Sequence, residues 1–362
     1  MQTPARYPRR LSRVVHVGAV AIGGESPVSI QSMTTTHTRR AAETLAQVRR
    51  LAAAGCDLVR VAVPALPDGE ALPEIVAGSP VPIIADIHFS TALAMKALEA
   101  GAAKVRLNPG NMDDEDGLRK VLGLAARLGR PLRFGVNSGS VLAKRAGAKV
   151  APQDLPALMV EMLMRWVRIA EAEGMPDLVL SAKASDVPTT IEAYRLLAEA
   201  CDLPLHLGVT AAGPIDEARM RSGLVLGTLL SEGIGDTLRV SLTGDPIQEV
   251  LIGQEILAEL GLRPHRGIRI VSCPTCGRCE VNLVSLVERL KAATRDIESP
   301  LTVAVMGCVV NGPGEAQEAD VGLAAGKGHG VLFRRGEPVR KVPEADMLGA
   351  LLEEVRAVAA EG

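Results

Sequence analysis

Short runs of β-branched and aliphatic residues recur eight times along the first 245 residues of this 362-residue chain. Helical patterns separate the runs, as in 41–55 and 188–201, where apolar residues return every three or four positions. Alternating strands and helices predict parallel strand pairing, and eight such units in about 250 residues match a (β/α)8 TIM-type barrel. The predicted strands are 28–33, 58–63, 82–87, 104–108, 132–137, 178–183, 205–209 and 237–242.

A doubly wound open sheet is the alternative fold for the same alternation of strands and helices. That fold usually has a glycine-rich turn after its first strand, and residues 31–38 (QSMTTTHT) contain no glycine. We therefore expect an α/β chain with a barrel over 1–262, followed by a smaller α+β domain over 263–362.

The first residues combine a basic start with an apolar run, a pattern that also occurs in signal peptides. His16 and several glycines interrupt the run, so we interpret it as two short strands forming a hairpin. No stretch is long and apolar enough to predict a membrane span. We expect a cytoplasmic protein without a membrane partner.

The overall charge argues against a nucleic-acid partner. The formal net charge is -2 and aromatic residues make up 2% of the chain, whereas nucleic-acid binders usually have a basic excess or stacking aromatics. A small anionic ligand remains compatible with this composition, because a few local arginines are enough to bind it.

Arginines occupy positions inside four of the predicted strands, with aliphatic neighbours on both sides: Arg60, Arg106, Arg133 and Arg239. A buried guanidinium is costly unless it has an anionic partner. Side chains two residues apart share one face of a strand, which adds further polar residues to these faces. The added residues are Asp86, His88, Asn108, Asn137, Ser181, Lys183, Ser185, His206, Thr210 and Ser241.

If these faces point inward near the carboxyl ends of the strands, cations and hydrogen-bond donors line the mouth of the barrel. Several arginines and one lysine in one place suit a diphosphate, because arginine binds phosphate oxygens in a bidentate manner. The alternative is an internal salt-bridge network with carboxylates. Basic residues outnumber the candidate carboxylates, which favours an anion site; those carboxylates are Asp86, Asp186, Glu232 and Asp236.

Four of the six cysteines fall within 36 residues of the second domain: Cys273, Cys276, Cys279 and Cys308. A zinc ribbon needs two ligand pairs, and only one cysteine lies at the second position with no histidine nearby. An iron–sulfur cluster needs four ligands that need not be paired, and these four cysteines are the simplest set. Cys56 and Cys201 are most simply small buried residues.

The motif GCVVNGPGE brings three glycines and Glu315 next to Cys308. Glycines allow the backbone to approach a bulky inorganic core. Glu315 is either a solvent-exposed residue after a turn or a weak oxygen ligand at one corner of a cluster. In the second case that iron would be open to substrate as a Lewis acid.

Together, the motifs CPTC, GCVVNGPGE, ADIHF, VRLNPGN, SAKASD and SEGIGDTLRVSL resemble the 4-hydroxy-3-methylbut-2-enyl diphosphate synthase family. The match extends from QSMT to the last helix and is similar to the bacterial two-domain form. The resemblance implies a flavodoxin- or ferredoxin-dependent oxidoreductase of the methylerythritol phosphate pathway of isoprenoid biosynthesis. Such an enzyme reduces 2-C-methyl-D-erythritol 2,4-cyclodiphosphate, opens its ring and removes a hydroxyl group with two electrons.

The resemblance also implies a set of functional residues. One [4Fe–4S] cluster per chain would be bound by Cys273, Cys276, Cys308 and Glu315, which leaves Cys279 outside the ligand set. Diphosphate contacts would be made by Arg60, Arg106, Arg133, Lys183 and Arg239. Further polar substrate contacts would come from Asp86, His88, Asn108, Asn137, Ser185, His206 and Ser241.

Three expectations follow for catalysis and assembly. Glu315, Glu232 and His88 are candidate proton donors. The family's head-to-tail homodimer would place the cluster domain of one chain over the barrel of the other. The basic loop 140–152 is either a lid or a solvated surface loop.

Two other functions remain open on the sequence. One is a pterin-binding or methyl-transferring barrel with an accessory cluster, against which the shortage of aromatic residues counts. The other is a non-enzymatic barrel with a structural zinc module.

Overall fold

A computed structural model describes residues 7–112, 114–144, 150–310 and 312–361. The chain divides into two compact units, of which the first ends at Arg263 and the second begins at Pro264. Part of the loop 140–152, expected as a possible lid, lies outside the described residues. Among the described helices, none has the length and apolar character needed to cross a membrane.

A hairpin opens the first unit, as the sequence predicts. Its strands β1 (Val15–Val17) and β2 (Val20–Ile22) pair in antiparallel fashion. Their apolar side chains pack beneath the barrel strands and close the barrel at the end where the strands begin. This apolar cluster consists of Val17, Ile22, Leu58, Ile84 and Ala103.

Eight parallel strands follow and form the barrel that the sequence predicts. The sheet order is β8-β7-β6-β5-β4-β3-β10-β9, and a parallel bridge between Leu180 and Leu205 joins its two ends. The strands are β3 (Ser29–Met33), β4 (Leu58–Ala62), β5 (Ile83–Ile87), β6 (Lys104–Leu107), β7 (Leu132–Asn137), β8 (Leu178–Lys183), β9 (His206–Leu207) and β10 (Thr237–Leu238).

Helices connect the strands and cover the outside of the barrel. Because every strand is followed by a helix and all strands run in parallel, their carboxyl ends meet at one end of the barrel. The helices are α1 (Ala41–Ala53), α2 (Leu66–Gly78), α3 (Thr91–Glu99), α4 (Glu115–Leu128), α5 (Ser138–Lys144), α6 (Leu155–Ala172), α7 (Val187–Ala200), α8 (Ile215–Ser231) and α9 (Pro246–Glu259).

The barrel core divides by strand parity. Outward-facing apolar residues such as Val105, Leu107 and Phe134 pack against the helices in one large cluster. The alternating residues point inward, and many of them are polar and buried. The hydrophobic strands can therefore contain arginines without disturbing the packing of strands against helices.

The second unit is a five-stranded sheet in the order β11-β12-β13-β14-β15. The first three strands are parallel and the last two are antiparallel. The turn between β13 and β14 closes a hairpin in which Gly326 pairs with His329. The strands are β11 (Ile268–Ser272), β12 (Leu301–Met306), β13 (Val321–Gly326), β14 (His329–Arg334) and β15 (Glu337–Pro343).

Two apolar clusters lie on opposite faces of this sheet. Helices α10 (Leu283–Ala293) and α12 (Met347–Glu361) cover one face, around Val303 and Leu323. The short helix α11 (Gly312–Gln317) packs on the other face. The parallel strands β11 and β12 end at the same edge, so the cysteine motifs that follow them are brought together.

Candidate active site

A polar cavity opens at the carboxyl ends of the barrel strands. Its volume, including the open mouth, is about 440 Å³. Most of the residues expected at the mouth from strand parity line this cavity, including Ser181 and Thr210. The lining residues are Arg60, Asp86, His88, Arg106, Arg133, Asn137, Ser181, Lys183, Val209, Thr210, Arg239 and Ser241.

Asp86 is the carboxylate that pairs two of the arginines. Its Oδ1 accepts a hydrogen bond from Arg106 Nη1 at 3.1 Å, and its Oδ2 lies 3.7 Å from Arg60 Nε. Burial alone would raise the pKa of Asp86, but Arg60, His88 and Arg106 hold it well below its usual range. Asp86 is therefore ionised at neutral pH. Burial in turn lowers the pKa of Arg60 to about 10, with Asp86 opposing the shift.

Arg106 is held from three sides. Besides Asp86, it donates to the carbonyl oxygen of Gly135 at 3.0 Å and to His88 Nε2 at 2.7 Å. Gly135 leaves the room that this requires, because a Cβ there would lie 3.2 Å from Arg106 Nε and 2.5 Å from Ser181 Oγ. The guanidinium is thus fixed before any ligand binds.

His88 links Arg106 to the loop after β6. A guanidinium only donates hydrogen bonds, so His88 Nε2 accepts the one from Arg106. When the imidazole is neutral, its proton is then on Nδ1, which lies 3.3 Å from Asn111 Nδ2. Since both groups would be donors, a hydrogen bond here requires the Asn111 amide to turn its oxygen towards the ring. The ring remains partly exposed at the mouth, with 38% of the side chain accessible to solvent.

Arg239 has a carboxylate partner that the sequence analysis did not identify. Glu249 on α9 accepts from Arg239 Nη2 at 2.7 Å and from Arg239 Nε at 2.9 Å, a bidentate pair. Ser32 donates to the same carboxylate at 2.8 Å. The available signal was a glutamate in the first turn of the helix that follows the arginine's strand.

Positive charge exceeds negative charge at the mouth. Among the described residues, five cationic side chains face two carboxylates, Asp86 and Glu249. Burial, and then the neighbouring cations, lower the pKa of both Arg133 and Lys183 well below their usual values. The free site thus has fewer anionic than basic groups, and a phosphorylated ligand would supply the missing negative charge.

The carboxylates proposed for an internal salt-bridge network are mostly elsewhere. Asp186 accepts from Thr189 N and caps α7, and Asp236 lies at the start of β10, where it pairs with Arg9. Glu232 pairs with Arg195 near the end of α8. Of the four, only Asp86 reaches the mouth.

Of the site residues predicted in the barrel, four lie outside the cavity lining. Asn108 is buried and accepts a hydrogen bond from Gly110 N in its own turn. Ser185 is exposed after β8, and His206 is fully buried inside the barrel. Glu232 lies where the strands begin, at the opposite end from the mouth. The contacts expected of these residues remain predictions.

In the second unit, the cysteines gather at the edge where β11 and β12 end. Cys273 Sγ accepts a hydrogen bond from Gly307 N at 3.3 Å, next to the buried Cys308. Cys279 N donates to Cys276 O at 2.9 Å and forms a turn that leaves Cys276 exposed. Three thiols therefore reach one edge from two loops, as a cluster with unpaired ligands requires.

Cys279 lies beside the same backbone segment as Cys273, but its thiol makes a hydrogen bond inside the unit. Its thiol donates to the carbonyl oxygen of Val281 at 3.3 Å, and the side chain packs at the rim of the apolar cluster near Leu283. A Cβ on Gly307 would lie 2.4 Å from Cys279 Sγ. Glycine at 307 thus lets two cysteine side chains pack against one backbone segment.

The donor set fits an iron–sulfur cluster. Glu315 is exposed in the first turn of α11, seven residues beyond Cys308. Over the described ranges, no three His, Cys, Asp or Glu side chains converge closely enough to share one metal ion. Ligands at the corners of a four-iron core are farther apart than those around a single ion. Three thiolates and one carboxylate are chemically suited to the corners of such a core.

Family models match both units of the chain. The GcpE TIM-barrel domain matches residues 12–254, and the GcpE protein C-terminal domain matches residues 269–357. The chain belongs to the GcpE family. The resemblance drawn from the motifs is thereby confirmed.

Curated GcpE relatives share about half of their residues with this chain. A protein from Geobacter sulfurreducens is 53% identical over 350 residues, which cover 97% of this chain and 98% of the relative. One from Corynebacterium glutamicum is 49% identical over 355 residues, covering 98% and 93%. Both are named 4-hydroxy-3-methylbut-2-en-1-yl diphosphate synthase (flavodoxin).

A solved structure with a similar barrel is a dihydropteroate synthetase. It has a TM-score of 0.50 and 14% sequence identity, and the match covers 70% of this chain and 100% of that one. At this identity the likeness shows the fold alone. It gives no support to the pterin-binding alternative, and the GcpE relatives favour the reductive one.

Proposed function

We propose that the cationic mouth of the barrel binds the diphosphate of 2-C-methyl-D-erythritol 2,4-cyclodiphosphate. The chain is an oxidoreductase of the methylerythritol phosphate pathway, and it reduces this substrate to 4-hydroxy-3-methylbut-2-enyl diphosphate. The observation that supports the binding site is that five basic side chains face two carboxylates among the described residues at the mouth.

Each cation has a distinct role in the proposed complex. Arg60 and Arg106 are oriented by Asp86, and Arg239 is oriented by Glu249. Arg133 and Lys183 have no such carboxylate partner within the described part of the chain, so they are the groups that gain most from a diphosphate. Asn137 and Ser241 at the rim provide hydrogen bonds that orient the ring carbons.

The second unit binds the [4Fe–4S] cluster of the enzyme. We assign Cys273, Cys276, Cys308 and Glu315 as its ligands, the set that the family resemblance implies. In keeping with this choice, the Cys279 thiol already donates a hydrogen bond to Val281 O. When bound, the cluster supplies electrons and a Lewis-acidic iron. The carboxylate of Glu315 suits the corner from which a ligand must be displaced.

His88 is the best-placed proton donor in the mouth. Its ring is partly exposed, and Arg106 fixes its orientation through Nε2, so that Nδ1 carries the proton of the neutral ring. Glu232 stays a prediction without a contact at the mouth of its own barrel. Glu315 lies near the cysteines of the second unit and remains a second candidate proton donor.

We also propose a head-to-tail homodimer in the cytoplasm, with flavodoxin or ferredoxin as electron donor. The relatives' printed name supports flavodoxin. Exposed apolar residues occur at both surfaces that would meet: Phe89 follows His88 at the barrel mouth, and Val309 and Val310 follow Cys308. In such a dimer, the second unit of one chain would cover the barrel of its partner.

Anaerobic turnover tests the proposed function. Purified holoprotein with a chemical reductant should convert the cyclic diphosphate, and a broad absorbance near 400 nm should accompany the activity. For variants of the mouth arginines such as Arg106→Ala, the matched control is Arg165→Ala, which alters an arginine on the outer surface of α6. Failure of the holoprotein to consume the substrate, or a colourless zinc protein, would refute the assignment.

A further inference from the structure

A second cationic layer lies inside the barrel, beneath the mouth. Lys104 is fully buried, and Arg133 is 1% exposed. Lys104 lies two residues before Arg106 on β6, so both side chains point into the barrel and Lys104 lies one layer deeper. Its β5 neighbour in register is Ile84, which belongs to the apolar cluster that closes the bottom.

Neutral polar residues complete this layer. Gln31, His206 and Thr237 are fully buried. Gln31 shares a strand face with Met33, whose sulfur contacts Arg60, and Thr237 shares one with Arg239. His206 is close enough to Arg133 and Lys104 for both to lower its pKa, after burial, well below its usual value.

Many polar atoms of the layer have no hydrogen-bond partner among the described residues. They include Lys104 Nζ, Arg133 Nε and Nη1, and both nitrogens of the His206 ring. A buried donor without a partner is destabilising, so a native protein rarely leaves several together. The layer therefore needs an occupant that accepts hydrogen bonds.

Charge decides between water and an ion as that occupant. The carboxylates of the mouth are already engaged, Asp86 with Arg60 and Arg106, and Glu249 with Arg239. Water satisfies donors but does not neutralise the guanidinium of Arg133, which no carboxylate contacts among the described residues. Burial and then Arg133 lower the pKa of Lys104, so an anion beside Lys104 would restore its charged form.

We propose that Lys104 and Arg133 bind a small inorganic anion, such as chloride, inside the barrel beneath the diphosphate site. Side chains from β3, β6, β7, β9 and β10 enclose the position, which favours a monatomic ion over an oxyanion. The ion would hold the inner edge of Arg133 while the outer edge faces the mouth. It would thereby fix this arginine for substrate.

Bromide replacement tests the site directly. Crystals of the full-length holoprotein, grown anaerobically in sodium bromide instead of chloride, should give an anomalous peak within hydrogen-bond distance of Lys104 Nζ and the Arg133 guanidinium. Interior density that shows only water, without an anomalous peak, would overturn the proposal. This measurement does not depend on any variant folding.

A thermal-shift comparison tests the site in solution. At constant ionic strength, replacing gluconate with chloride should raise Tm by roughly 2–4 °C and then saturate. Lys104→Met should lose this response, whereas Lys120→Met, on the exposed face of α4, should keep it. An unchanged chloride response in Lys104→Met would refute the site, and Lys104→Gln serves the same purpose if the methionine variant does not fold.

Discussion

Five basic side chains share one barrel mouth, and three of them contact a carboxylate among the described residues. Asp86 and Glu249 contact three of the arginines directly, and these contacts fix the orientation of the guanidinium groups. Arg133 and Lys183 remain without a carboxylate contact among the described residues. At the scale of single residues, the site is thus partly preorganised and partly unsatisfied, and the two halves should respond differently to mutation.

Lys183 should take up a proton when substrate binds. In the free protein, burial and then Arg133, Arg60, Arg239 and Arg106 lower its pKa well below 10.5. A bound diphosphate favours the ammonium form and raises the pKa, so between the bound and free values binding adds a proton. Calorimetry of oxidised protein in two buffers of different ionisation enthalpy measures this uptake.

The control for proton uptake is a pair of lysine variants. Lys183→Met should bind more weakly and lose most of the buffer dependence, while Lys120→Met should behave like the unmodified protein. A binding enthalpy that is equal in both buffers for the unmodified protein would contradict a depressed pKa at Lys183.

Arg106 and Glu315 should fail in different ways. Arg106→Ala removes a charge-assisted contact to the diphosphate and should raise KM roughly 10–100-fold. Glu315→Ala should leave substrate affinity nearly unchanged and abolish turnover, because Glu315 belongs to the cluster ligands. Steady-state kinetics and equilibrium binding of each variant separate the two effects, and unchanged affinity in Arg106→Ala would count against the cationic clamp.

At the scale of elements, strand parity predicted most of the barrel mouth. It could do so because the strands are regular and parallel, so that alternate residues share one face. Ser185 and Asn108 fall just beyond the regular strands β8 and β6, where parity no longer determines direction. Glu249 escaped notice because it lies on a helix, and its contact with Arg239 depends on how α9 packs.

Lys104 shows a different limit of sequence reasoning. It shares a face with Arg106 and Asn108, so its inward direction was readable from the sequence. Its complete burial, and its lack of a partner among the described residues, depend on the apolar hairpin that closes the barrel below. That closure is tertiary structure, which no local pattern specifies.

The loop after β12 should tolerate no side chain at position 307. In Gly307→Ala the new Cβ would lie 2.4 Å from Cys279 Sγ, so the loop that carries Cys308 must shift. We expect a loss of cluster content, measured by iron and sulfide analysis. Adding Cys279→Ala should restore much of it, because the remaining contacts of the new Cβ, to Cys279 Cβ and Leu283 Cδ2, are both 3.5 Å.

The two exposed-loop cysteines should differ in their importance for the cluster. Cys279→Ser should keep the cluster, because that thiol already donates to Val281 O inside the unit. Cys276→Ser should lose it, because Cys276 is an assigned ligand. Visible absorbance and iron content of the purified variants provide the measurement, and cluster loss in Cys279→Ser would overturn the ligand assignment.

At the scale of the whole molecule, the chain places its two chemical functions in two separate units. The proposed substrate cations lie in the unit that ends at Arg263, and the assigned cluster ligands lie in the unit that begins at Pro264. A barrel mouth with exposed Phe89, and a cysteine edge with exposed Val309 and Val310, each present apolar surface beside functional groups. Two chains arranged head to tail would cover both surfaces.

Mixing two impaired variants, assayed at a substrate concentration well below KM, tests this arrangement. Arg106→Ala has an impaired barrel with an intact cluster unit, and Cys276→Ser has the reverse. In a head-to-tail dimer, the intact cluster unit of the first covers the intact barrel of the second. After co-expression, random pairing should therefore recover about one quarter of the activity of the unmodified protein. If each active site were built within a single chain, the mixture would be no more active than its components.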